Sequence, residues 1–169
     1  MSFLFKASDL LLQQYQCWPD DLNFLGTTIR HCAITGKVFQ AETILKQYWC
    51  QLTDESHPFE PLIHSWADFY RQYELTEAEV EPYLETASSL LRQVLSQRRQ
   101  RYQLNLDYFD EDGEPFLSYT VYLDLPVDDL LALEDQHNDL LLAGHFSSEL
   151  LHGMIITFEP YPLEKENNG

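Results

Sequence analysis

Tyr102-Gln-Leu-Asn-Leu-Asp-Tyr108 and Leu117-Ser-Tyr-Thr-Val-Tyr-Leu123 are the two runs that decide the fold. In the first, Tyr102, Leu104, Leu106 and Tyr108 alternate with polar residues; in the second, Leu117, Tyr119, Val121 and Leu123 repeat the phase. Successive side chains of a strand point to opposite faces, so each run gathers its apolar residues on one side. Between them lies Asp110-Glu-Asp-Gly-Glu-Pro115, a connector of turn formers in which Gly113 is free to take positive φ. Period-two runs around a polar, Gly-containing connector predict a β-hairpin.

Downstream, Pro126-Val-Asp-Asp129 places Pro and Asp where a helix begins. Leu130, Leu133, His137, Leu140 and Leu141 then recur at helical spacing to about Ala143, with Gly144 as the stop. Ser147 to His152 fits a single helical turn. Gly153-Met-Ile-Ile-Thr-Phe158 reads as a third strand, and residues 164–169 as a frayed tail.

Upstream, the spacing predicts helices over residues 3–16, 20–35 and 38–52, the second of them stopped by Gly36. Residues 59–73 form a fourth, with Phe59, Leu62, Ile63, Trp66, Phe69 and Tyr70 as an aromatic-rich stripe. Thr76-Glu-Ala-Glu79 has capping-box spacing, but Pro82 follows closely, so a short turn is expected and then a helix from Pro82 to Gln100. Arg92, Arg98, Arg99 and Arg101 near its end oppose the helix dipole. The expected class is α+β. A mainly helical part, 1–100, holds about five helices and packs with a small antiparallel sheet of about three strands and one further helix in 101–163. A chain of 169 residues with no low-complexity linker is expected to be one domain.

Charge is the strongest global signal. Ten Lys and Arg stand against 28 Asp and Glu, a formal net charge of −18. Residues 1–100 carry 13 acids and 8 bases, whereas 101–169 carry 15 acids and 2 bases. Binding to DNA, RNA or an anionic membrane requires Lys and Arg along the contact, so direct nucleic-acid or membrane binding is disfavoured. The apolar runs are too short to span a bilayer, and the N-terminus lacks a signal-like apolar core. A cytoplasmic protein is expected. The three cysteines, Cys17, Cys32 and Cys50, are odd in number and widely spaced, which fits reduced thiols buried as small hydrophobes.

Three patterns bear on chemistry. Asp110-Glu-Asp-Gly-Glu114 resembles part of a calcium loop, but the register puts Tyr108 and Tyr119 at essential ligand positions, which favours a solvated hairpin tip. Glu134-Asp-Gln-His137 and Glu149-Leu-Leu-His152 are two Glu-x-x-His pairs, the arrangement of carboxylate-bridged metal bundles, yet the second sits in a stretch too short for a bundle helix. His64 and Asp68 share a helix face and suit an ion pair as well as an acid–base couple. No nucleophile elbow or phosphate loop is present, so no catalytic set, cofactor or metal is assigned.

The resulting expectation is a binding protein that docks on and inhibits a basic partner, in the physical manner of an immunity protein against a nuclease. Asp107, Asp110, Glu111, Asp112, Glu114, Asp124, Asp128, Asp129, Glu134, Asp135 and Asp139 would supply the field, and Phe109 and Phe116 the buried anchors. The alternatives are a DNA mimic that occupies a nucleic-acid-binding protein, and a metal-dependent enzyme built on Glu134, His137, Glu149 and His152.

Overall fold

The computed structural model describes residues 3–97, 100–111 and 114–162. The expected turn at Asp112 and Gly113, the basic pair Arg98 and Arg99, and the tail 164–169 lie outside the described residues. Helices α1 (Phe3–Gln14), α2 (Leu22–Ile34) and α3 (Val38–Ile44) come first, α1 running into a 3-10 turn at Tyr15–Cys17. A π-helical turn at Leu45–Trp49 joins α3 to α4 (Cys50–Leu52), so the expected third helix is present with one wide turn in it. Then follow α5 (Glu60–Gln72), α6 (Glu77–Gln97), β1 (Tyr102–Glu111), β2 (Glu114–Leu123), α7 (Val127–Ala143), α8 (Ser148–Gly153) and β3 (Met154–Pro160).

The sheet order is β1-β2-β3, with β1 and β2 antiparallel and in the phase the alternation predicts: Leu104 opposes Val121, and Leu106 opposes Tyr119. The strands run further than expected, down to Glu111 opposite Glu114, so most of the predicted connector is ladder rather than loop. β3 joins β2 in parallel, which corrects the wholly antiparallel sheet. The cause is the connection: α7 and α8 fill it, and a helical crossover returns the chain to the end where it started.

The apolar side of the sheet packs on the helical layer. Leu106, Leu117, Tyr119, Val121 and Leu123 join Met154, Ile156 and Phe158 in a single core with Leu25, Ile29, Trp66, Tyr70, Tyr83 and Leu84 of the helical layer. Helix α5 covers β1 and β2, and α7 covers β3 and leans on α6.

Local signals explain the helix ends. Asp21 accepts from the Phe24 amide at 3.0 Å and starts α2. Gly36, at φ +74°, ends it: Lys37 N donates to Cys32 O at 2.8 Å and Gly36 N to Ala33 O at 3.2 Å, the paired bonds of a Schellman cap. The capping box forms at Thr76, whose amide and hydroxyl both reach the Glu79 carboxylate. From there α6 runs unbroken through Pro82, which corrects the expected break. Pro82 and Ala78, the residue whose carbonyl loses its partner, are both exposed, so water can replace the missing donor.

Helix α5 ends in the same pair of bonds as α2, Leu75 N to Tyr70 O at 2.9 Å and Glu74 N to Arg71 O at 3.4 Å, but with Glu74 rather than glycine at φ 54°. A side chain in the left-handed region costs about 1 kcal/mol. Glu74→Gly is therefore expected to stabilise the fold by about that amount, read as a higher urea midpoint at unchanged slope.

Candidate docking surface

Strand alternation divides the hairpin into two sides. One packs on the helices. The other carries Gln103, Asn105, Asp107 and Phe109 of β1, with position 111; Glu114, Phe116, Ser118, Thr120 and Tyr122 of β2; and, by the parallel register, Ile155, Thr157 and Glu159 of β3. The side-chain hydrogen bonds found among these residues stay within the face: Asn105 Nδ2 donates to Asp107 Oδ2 at 2.5 Å, and Thr157 donates to Thr120 at 3.4 Å. At the hairpin end Phe109 and Phe116 stack across the strands with centroids 5.0 Å apart and planes 19° from parallel. Phe109 keeps 40% of its surface exposed and Ile155 keeps 44%.

Exposed Phe109 and Ile155, with half-buried Phe116 stacked on the former, thus lie beside Asp107 and Glu114. Asp107, Glu114 and Glu159 hold three acidic positions on the face, and among the described residues no Lys or Arg holds one. In the C-terminal part the sole described base is Arg101, whose carbonyl accepts the Asp124 amide at the far end of the hairpin.

The remaining acidic residues fall elsewhere. Asp110 belongs to the opposite side of β1, where its charge, with that of Asp68, raises the Tyr108 pKa, behind burial as the main cause. Asp128, Asp135 and Asp139 are exposed along α7, with Asp124 just before it, and Val127, Leu131 and Leu142 are exposed apolar neighbours on that helix. Asp129 lines a cleft of about 220 Å3 between α6 and α7 with Gln93, Gln97 and Gln136. Glu134 turns inward, its Oε1 accepting the Phe158 amide of β3 at 3.4 Å. The sequence-predicted set is therefore split among the sheet face, the opposite side of β1 at Asp110 and helix α7, with Glu134 employed in holding β3.

The two Glu-x-x-His pairs do not converge, and among the described residues no group of three or more His, Cys, Asp or Glu is placed to hold a metal ion. His137 is buried between the rings of Tyr83 and Phe158, and its Nε2 lies 2.9 Å from Thr86 Oγ1. Thr86 donates its own proton to the Tyr83 carbonyl at 2.6 Å, so the imidazole is the donor in that contact. Burial lowers the His137 pKa to about 4. His152 is exposed on α8, with Nδ1 2.8 Å from Ser148 O. Glu149 has a lowered pKa because its own backbone amide and the Ser148 hydroxyl favour the anion.

His64 faces Glu42 at 3.4 Å and Glu60 at 3.8 Å, whereas Asp68 pairs with Arg71 at 2.8 Å; the expected couple does not form. Glu42 is the hub there. Burial pushes its pKa up, but Lys46 and Arg71 more than reverse that and hold the carboxyl below its usual range. This network ties α3 to α5.

The cysteines depart from expectation: Cys32 is buried, but Cys17 and Cys50 are exposed. Burial pushes the Cys32 thiol up to about 12. Thiol labelling of the native protein at neutral pH is expected to modify Cys17 and Cys50 and to spare Cys32, as read by mass spectrometry.

Ile155, Tyr122 and Glu159 had gone unnoticed as members of a surface. Their signal was present in the alternation of β3, since Met154, Ile156 and Phe158 point inward. No described helix is long and apolar enough to cross a membrane. Compared with protein-family models, with curated proteins and with solved structures, the chain has no significant match.

Proposed function

We propose that this chain is an acidic docking protein whose open sheet face seats on a basic partner protein and blocks it. The observation that carries this reading is the Phe109–Phe116 stack, with Phe109 exposed and Phe116 half-buried, among carboxylates on strand positions that hold no Lys or Arg. Charge alone would serve solubility. An aromatic stack left partly in water does not, because it costs hydration and offers a partner a buried anchor.

Carboxylates around apolar anchors divide the work of binding. The acids attract a basic surface over roughly a Debye length, about 8–10 Å in physiological salt, and orient it. The rings then leave water and set the lifetime of the complex. An aromatic centre favours a protein partner over imitation of a phosphate track, in which carboxylates alone would carry the contact.

The test is capture from native cells with three baits: the unaltered chain, the Phe109→Ala/Phe116→Ala variant, and a Leu142→Ala variant on the exposed end of α7 as control. The expected partner is a basic protein retained by the unaltered chain and the control and lost by the double variant. Equal retention by all three baits would remove the sheet face from the interaction.

A further inference from the structure

At the hairpin end of the open face, a cavity of about 450 Å3 lies where β2 and β3 meet α8. Phe116 and Ile155 of the sheet face and Tyr73, just past α5, supply its apolar surface; Glu114, Glu149 and His152 supply its polar groups. The volume suits a ligand side chain, within the usual range of about 300–1,000 Å3 for small-molecule pockets. No Lys or Arg lines it.

We infer that this cavity receives an arginine side chain of the basic partner. The inference rests on the docking reading above and adds the residue that the face selects. Arginine fits the lining on three counts. Its planar guanidinium stacks on aromatic rings such as Phe116 and Tyr73. Its donors can pair with carboxylates on either side, here Glu114 from β2 and Glu149 from α8. Its apolar stem can lie along Ile155 while the charge stays at the carboxylates.

His152 closes the polar side of the cavity, its Nδ1 donating to the Ser148 carbonyl at 2.8 Å. Glu149 is held in place by the Ser148 hydroxyl at 3.0 Å and is favoured as the anion. An anionic guest would meet two carboxylates and no Lys or Arg. A neutral apolar guest would strip water from those carboxylates and return nothing. Lysine offers a point charge without the plane, so it should fit less well.

The test is an NMR titration of the full chain with N-acetyl-arginine N-methylamide, alongside the lysine compound and the citrulline compound, a neutral isostere of arginine. The expected result is saturable shifts in the millimolar range at Phe116, Ile155, Glu149 and His152, weaker for lysine and weaker by about tenfold or more for citrulline. Glu114→Gln and Glu149→Gln should each weaken arginine binding by up to about fivefold, the measure of one partly exposed ion pair. Shifts that never saturate, that spread equally to Asp128, Asp135 and Asp139 on α7, or that citrulline reproduces would overturn the assignment. The two readings fail separately. A partner still lost by Phe109→Ala/Phe116→Ala while arginine ignores the cavity removes the pocket alone. Arginine bound as expected while the partner is indifferent to both phenylalanines removes the sheet-face reading.

Discussion

Acidifying the protein from pH 6.5 to 4 is expected to remove about 3 kcal/mol of folding stability through His137 alone. Its pKa falls from 6.5 to about 4 on folding because the ring is buried. Between those values the unfolded chain binds a proton that the native state refuses, so stability rises with pH across this window and falls as pH falls through it. Above about pH 7.5 both states are neutral and the full contribution is present. The Nε2 proton is committed to Thr86, so the added proton must go to Nδ1, in a setting that holds the rings of Tyr83 and Phe158. Urea titrations of the unaltered chain and of His137→Leu at pH 7 and pH 4.5 isolate the effect. The difference between the two pH values should be smaller in the variant by about 2.5 kcal/mol. Equal pH dependence in both proteins would mean that the imidazole is not held neutral by the core.

The second large effect is at Tyr70. It is wholly buried, its hydroxyl donates to the carbonyl of the left-handed Gly36 at 3.2 Å, and its ring meets Phe39 edge-on at 5.8 Å. Tyr70→Ala should cost about 3–5 kcal/mol, the price of an aromatic-sized hole in a packed core. Tyr70→Phe keeps the ring and loses only the hydrogen bond, about 1 kcal/mol. Gly36→Ala should also be severe, because a Cβ there would lie 2.9 Å from Leu84, 3.0 Å from Val80 and 3.1 Å from the Tyr70 hydroxyl, at a φ that disfavours side chains. Combined with Tyr70→Ala it should cost less than the sum, since the truncation vacates one of those three contacts. Chemical denaturation of the four variants gives the coupling directly.

Tyr70 was legible in the sequence because the stripe Ile63, Trp66, Phe69, Tyr70 obeys helical spacing, and all four are buried. The hairpin register was legible for the same kind of reason: a period of two leaves one consistent pairing. What escaped was set by contacts distant in the chain. Glu77, at the start of α6, accepts the amides of Phe39 and Gln40 at 2.7 and 3.1 Å and so caps α3 from 37 or more residues away; no local pattern announces that. Lys37 is buried with Asp9 as its partner, another pairing of this kind. The direction of β3 could have been read from the 17-residue helix inserted before it, because a helical crossover implies a parallel return. Phe109 and Phe116 could be named in advance, but not how much of each stays exposed, which depends on where the helices pack. Glu134 looked like one more surface acid until the β3 amide it serves was in place.

The central claim is that a cation-free sheet face steers a basic partner and that its two phenylalanines hold it. Association and dissociation rates of the captured partner, followed from low to high ionic strength, test this most directly. For the unaltered chain, salt should slow association by about ten- to a thousandfold and leave dissociation nearly unchanged. Phe109→Ala/Phe116→Ala should do the reverse, with near-normal association and much faster release. An association rate indifferent to salt, with dissociation indifferent to both phenylalanines, would contradict the account and leave the net charge of −18 as a device for solubility.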